Sequence, residues 1–261
     1  MMKLFLRISL GLVCILISLW LIAPTLVIIP ISFSEQQSLV FPPRGFSWRW
    51  YQNIFESQSW KDSLITSLQV AVIVSILATL LGSFAALGIE HLKNKFGGML
   101  KVILLTPIVM PGVVLAIGIY AIYLKYHLIG TYTGFILAHT LLALPFVVIS
   151  VSANLAVFDN RLETAAASLG ASKITTLLTV TIPLTLPGIL SGILFSFVTS
   201  FNEIVISLFI SSPQVTTLPV KIYSSITRDT DPTIAAIGSI TFAVTTLLIG
   251  IGLLSSLKRK K

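Results

Sequence analysis

Residues 158–183 read FDNRLETAAASLGASKITTLLTVTIP, a segment more patterned than a tether between two apolar stretches needs to be. Asn160 is a good helix N-cap, and Glu163 follows three residues later at the capping-box spacing. Leu162, Ala165, Ala166 and Leu169 stand at i, i+3, i+4 and i+7 and form one apolar stripe. Gly170 supplies the left-handed residue that closes such a helix. Ser172 can restart one, with Ile174, Leu177 and Leu178 on a single face, and Pro183 ends it. The first piece is about nine residues, roughly 13 Å long, and is too short to be stable alone. Its small residues permit close approach to a partner. Lying flat on the inner face of a bilayer would satisfy the same pattern.

Outward from this segment the chain turns apolar in both directions. Six stretches almost free of charge lie at 8–33, 64–89, 102–124, 133–157, 184–211 and 235–257. Each exceeds the roughly 20 residues that a helix needs to cross a hydrocarbon core of about 30 Å. Their only Asp, Glu, Lys, Arg or His residues are His139 and Glu203. Charged residues make up 10% of the chain and hydrophobic ones 55%, whereas a soluble domain carries about 25% charge. Barrel strands would be shorter and alternating. The expected architecture is therefore all-α and membrane-integral, one domain over 1–261 with six transmembrane helices and a connecting loop at 158–183. Lys3 and Arg7 precede the first stretch as in a signal peptide, but it is long and no small-x-small cleavage site closes it, so it reads as a retained helix.

Basic residues set the orientation. With the N-terminus inside, one side carries Lys3, Arg7, Lys93, Lys95, Lys101, Arg161, Lys173, Lys258, Arg259, Lys260 and Lys261. The other carries Arg44, Arg49, Lys61, Lys125, Lys221 and Arg228. The positive-inside rule places both termini in the cytoplasm. The net charge of +8 is thus topological; scattered over short loops and a tail, it does not make a nucleic-acid surface. Cys14, the one cysteine, allows no intrachain disulfide and no cysteine metal site.

Between the spans, the outer loop at about 34–62 holds Phe41, Phe46, Trp48, Trp50, Tyr51, Phe55 and Trp60. Ser47 can cap a short helix there, lying at headgroup level or facing a partner. Glu90 to Gly98 forms an inner turn. Pro107 and Pro111 kink or break the third span. Gly188 and Gly192, four apart, let another backbone approach closely. Lys221, Arg228, Asp229 and Asp231 fall in the last outer loop, solvated or available to a binding protein.

Within the fifth span, Ser196, Thr199, Ser200, Glu203 and Ser207 share one face of a continuous helix. A carboxylate inside a membrane helix needs a partner, a cavity or a proton. Counting back from Ser211, Glu203 lies roughly 12 Å below the outer end. The stripe can line a path for a cationic solute, or Glu203 can hydrogen-bond another helix. His139 can line the same path or bond a neighbouring carbonyl.

The loop at 158–183 resembles the EAA loop of ABC importer permeases: Glu-Ala-Ala, three residues, Gly, nine residues, Ile-x-Leu-Pro. Ala165, Ala166, Gly170 and Pro183 match in register, and Val180 and Ile182 stand for the Ile and Leu. Thr164 occupies the Glu position, with Glu163 directly before it. The runs Trp50–Phe55, Pro107–Gly112, Ala138–Phe146 and Thr217–Tyr223 are similar to permeases of polyamine-type importers, such as the second permease of spermidine/putrescine systems.

The resemblance implies the type I importer permease fold in a bacterial inner membrane. It implies a coupling helix carrying Glu163, Thr164, Ala165, Ala166, Leu169 and Gly170 that meets an ABC ATPase dimer. It also implies a second permease, as a heterodimer, an extracytoplasmic binding protein, and a path through Ser196, Thr199, Ser200, Glu203, Ser207 and His139 for a small organic solute. That solute would be a polyamine, or an amino-acid derivative or opine-like compound. No Gly-x-x-x-x-Gly-Lys-Ser/Thr loop is present, so ATP and Mg are expected on the ATPase, with no cofactor, metal site or catalytic residue in this chain. The competing classes are a proton-coupled carrier, with Glu203 and His139 as its only relay, and an intramembrane enzyme, for which no His-Glu-x-x-His or Gly-x-Ser-x-Gly exists.

Overall fold

A computed structural model describes residues 2–92, 95–159, 161–228 and 231–258. All its regular structure is helical: α1 Met2–Ile31, α2 Arg49–Glu56, α3 Gln58–His91, α4 Lys95–Val109, α5 Gly112–Tyr126, α6 Tyr132–Leu155, α7 Arg161–Ser168, α8 Lys173–Thr176, a π-turn Leu177–Thr181, α9 Ile182–Phe201, α10 Val205–Ile210, α11 Leu218–Arg228 and α12 Thr233–Lys258. Among the described residues, four segments are long and apolar enough to cross a membrane: Leu6–Ile31, Gln58–His91, Tyr132–Leu155 and Lys173–Phe201. α4 and α5 make a fifth if they form one span. The sixth expected span lies inside α12, whose apolar part is described over Thr233–Leu247.

By contacts the chain divides into two units, residues 1–61 with 222–250 and residues 62–221 with 251–261. In the first, α1 buries no part of its apolar window. The aromatic loop after it folds on itself. Trp50 Nε1 donates to the Ser34 carbonyl at 2.7 Å, and Ser32 and Tyr51 share a hydroxyl bond of 2.7 Å. Phe46, Trp48 and Phe55 stay exposed while Trp50 and Trp60 are buried, so the aromatics split into anchors and surface. Ser47 is not the N-cap of α2; Trp48 holds that place without a side-chain bond, and Ser47 Oγ accepts from Arg49 N at 3.2 Å. Asp231 is not simply solvated. It accepts from Trp60 Nε1 at 3.1 Å and from Thr233 N at 2.9 Å, capping α12. Asp229, Lys93, Asn94 and the last three residues, with the side chains of Arg228 and Lys258, lie outside the described residues.

In the second unit a core runs through Val70, Val74, Ala116, Phe135, Val147, Val151 and Ile206. α6 and α9 pack backbone to backbone. A Cβ at Gly188 would stand 2.9 Å from the Ser150 carbonyl, and one at Gly192 would stand 3.1 Å from Val147 Cγ1. At Gly188 only glycine permits this approach, and at Gly192 a side chain would have to displace Val147 by a few tenths of an ångström, as the four-residue spacing anticipates. Pro107 is accommodated inside α4, whereas at Met110–Pro111 the expected third span breaks and its halves meet at 102°. Pro111 has no N–H and opens α5, its carbonyl accepting from Val114 N and Leu115 N. The expected inner turn is shorter than 90–98, since Gly97 and Gly98 already belong to α4.

Candidate functional site

The polar face of the fifth span is not one helix face. α9 stops at Phe201 and α10 begins at Val205, so Asn202, Glu203 and Ile204 form a turn between them. Glu203 makes that turn possible. Its Oε1 accepts from Ile206 N at 2.6 Å, satisfying an orphan donor at the start of α10 and placing negative charge at the helix N-terminus. Glu203 is half-buried, and Asn202 is exposed with its amide donating to the Val198 carbonyl.

His139 lies across the interruption. Its Nδ1 is 3.0 Å from Ser200 Oγ on α9 and its Nε2 is 3.0 Å from Ser207 Oγ on α10. All three are buried, and the imidazole is 0% exposed. A neutral imidazole has one donor and one acceptor nitrogen, so one serine accepts while the other donates. His139 therefore bonds two hydroxyls and not a carbonyl. Ser196 is buried too and returns its hydroxyl to the Gly192 carbonyl at 2.8 Å. Of the residues expected along the path, Thr199 and Glu203 are the ones that keep exposed surface.

At the other end of α9 the segment 158–183 is built much as its punctuation implies. Asn160 lies outside the described residues, and Asp159 Oδ1 takes a capping role, accepting from Arg161 N at 2.9 Å. Gly170 has φ 84°, with Ala171 N bonded to the Ala166 carbonyl and Gly170 N to the Ala167 carbonyl, the Schellman pattern. Ser172 caps α8, accepting from Thr175 N.

Glu163 Oε1 accepts from Thr181 Oγ1 at 2.5 Å, while Asn160, its expected capping-box partner, lies outside the described residues. Two details differ. Ile174 and Leu178 are exposed, and the buried face of the restarted helix carries Thr176 and Thr181 instead. Pro183 does not end that helix. The π-turn widens the backbone just before Pro183, removing the clash and the missing bond that would stop an α-helix, and α9 runs on.

No side chain of α7 is buried: Leu162, Thr164 and Ala165 are exposed, Ala166 is half-buried, and Leu169 is 89% exposed. Among the described residues, Leu162, Ala165 and Leu169 of the apolar stripe are left uncovered. Cavities of 230 and 480 Å³ flank the Glu163–Thr181 contact, and His91 lines both. Thr181 was not legible as a site residue, because nothing in a threonine 18 residues beyond a glutamate announces that the two meet.

Residues 78–259 match the family described as binding-protein-dependent transport system inner membrane component. The spermidine/putrescine transport system permease protein PotC of Haemophilus influenzae is 29% identical, over 88% of this chain and 89% of that protein. A putative 2-aminoethylphosphonate transport system permease protein, PhnV of Salmonella typhimurium, is 31% identical over 87% of this chain and 85% of its own length. In structure the chain is similar to part of a bacterial ABC transporter that imports the acidic polysaccharide alginate, with a TM-score of 0.70 over 97% of this chain and 96% of that one at 14% identity. The fold is thus that of a membrane permease of the type I importer class. The chain belongs to the binding-protein-dependent inner membrane component family and is a permease subunit of an ABC importer. In such systems ATP hydrolysis belongs to separate ATPase subunits, and a binding protein and a second permease complete the transporter.

Proposed function

We propose that this permease passes a small aliphatic amine of the polyamine class, with Glu203 as the carboxylate that meets the ammonium group. The observation that carries the reading is the placement of Glu203: a carboxylate at a helix interruption, half-buried, beside a buried His139–Ser200–Ser207 contact that fixes the turn. A charged group at an unwound point of a membrane helix belongs to a solute pathway far more often than to packing. Spermidine, putrescine and 2-aminoethylphosphonate, named for the relatives, all carry an amine, so the aminophosphonate is the second reading. The excess of Lys and Arg on one side supports an N-in, C-in orientation in the inner membrane. The exposed stripe of α7 is the surface for an ATPase dimer, which holds ATP and Mg, and a different permease chain supplies the other half of the path.

Uptake by the reconstituted transporter with its binding protein at saturation tests this. Labelled putrescine, spermidine and 2-aminoethylphosphonate separate the two readings. Glu203→Gln should cut amine uptake about tenfold, the worth of one charge-assisted contact. Unchanged uptake in that variant would remove Glu203 from the path, and reporter fusions at both termini check the orientation.

A further inference from the structure

Among the described residues, a short contact from the first turn of α7 joins it to the π-turn before α9. α7 buries no side chain, so packing does not wedge it in place. Its C-terminal end turns at Gly170, where a Cβ would meet nothing within 4 Å; the residue is there for its backbone angle. Glu163 stands at the opposite end of α7, about 10 Å from that turn at 1.5 Å per residue. There its carboxylate takes the Thr181 hydroxyl at 2.5 Å. Thr181 is 1% exposed and is the last residue of the π-turn. Its own carbonyl receives Thr185 Oγ1 at 2.8 Å, inside the first turns of α9. Gly170, the α8–π-turn segment and the Glu163–Thr181 bond thus close a triangle with α7 as one side.

We infer that Glu163 and Thr181 form an internal latch that delivers displacement of α7 to the foot of α9, and that Glu163 works inside this chain rather than on the ATPase. The inference rests on the reading of α7 as the ATPase contact. An open triangle would let α7 swing about Gly170 when pushed, and the push would be lost. A closed one moves α9, and with it the helix that leads to the Glu203 turn. Helical geometry supports the division of roles. Neighbouring residues point about 100° apart, so Thr164, at the acidic position of the motif, is exposed while Glu163 turns toward the body of the unit. Glu163 is therefore not a displaced copy of the motif acid. Both are positioning roles, since neither group touches solute or nucleotide.

The test uses the complete transporter. Glu163→Ala and Thr181→Val should each lower binding-protein-dependent uptake about tenfold, the scale of a hydrogen bond to a charged group. ATP hydrolysed per solute imported should rise by a similar factor, and the ATPase should still co-purify. The double variant should be no worse than either single one, because both remove the same bond. Thr181→Ser and Glu163→Gln keep a donor and an acceptor and should restore most of the coupling, which also controls for misfolding. Thr181→Val with normal uptake beside a defective Glu163→Ala would overturn the latch and return Glu163 to the ATPase surface, as would additive losses. Absence of the ATPase from the wild-type preparation is a different result: it sinks the docking reading, and the latch with it.

Discussion

α9 is held by polar side chains at both ends, in opposite manners. Beyond its upper end, the imidazole of His139 joins Ser200 to Ser207 in a fully buried contact, and no surface is left for a ligand to pull on. At its foot, Thr181 is buried but its acceptor Glu163 belongs to a helix with no buried side chain. The first arrangement preserves a shape, that of the turn carrying Glu203. The second joins a buried helix to an exposed one and so can pass a displacement. In a low-dielectric surrounding a satisfied polar network is rigid and an unsatisfied one is costly. The buried contact should therefore dominate the stability of this chain, and the exposed one its coupling.

Thermal unfolding of the purified chain in detergent ranks the positions. His139→Ala leaves two buried hydroxyls unpaired and should cost about 3 kcal/mol, at 1–3 kcal/mol for each buried group that loses its partner. Equal stability of that variant and the wild type would mean that the contact holds nothing. Gly188→Val comes next. Its side chain meets the Ser150 carbonyl and Asn154 Cβ, both under 3.0 Å from even a single added carbon, so α6 and α9 must part, at about 2 kcal/mol. Thr181→Val should cost about 1 kcal/mol while its effect on uptake is large, which separates coupling from folding. Leu169→Glu should change stability by under about 0.5 kcal/mol, as exposed sites do, yet release the ATPase. Loss of stability there would show that the stripe packs within its own chain.

How far the sequence reaches differs along the same helix. The glycine pair at 188 and 192, the Gly170 cap, the Ser172 cap and the exposed stripe on α7 were all readable, because each follows from a local spacing or from one residue's backbone preference. The continuous face through Glu203 was not. Composition shows an apolar run through 184–211, and nothing in it marks where backbone bonds are given up. Asn202 to Ile204 unwinds because Glu203 can cap the next turn and because His139, more than 60 residues earlier, braces both sides of the gap. The third span shows the same division. Two prolines foretold a disruption, yet only the fold decided that Pro107 stays in a helix while Pro111 turns the chain through 102°.

By itself, then, the sequence determined the solvent, the helices, the glycine-capped loop and, through its pattern, the importer family. Those properties rest on hydropathy, short-range spacing and single-residue preferences, which need no distant partner. The tertiary structure alone decided what the polar residues do. It turned Glu163 toward Thr181, set His139 between two serines, gave Asp231 to Trp60 and made Glu203 a cap. A buried polar atom must find a partner wherever the packing offers one, and that partner is chosen by the fold and not by its distance along the chain.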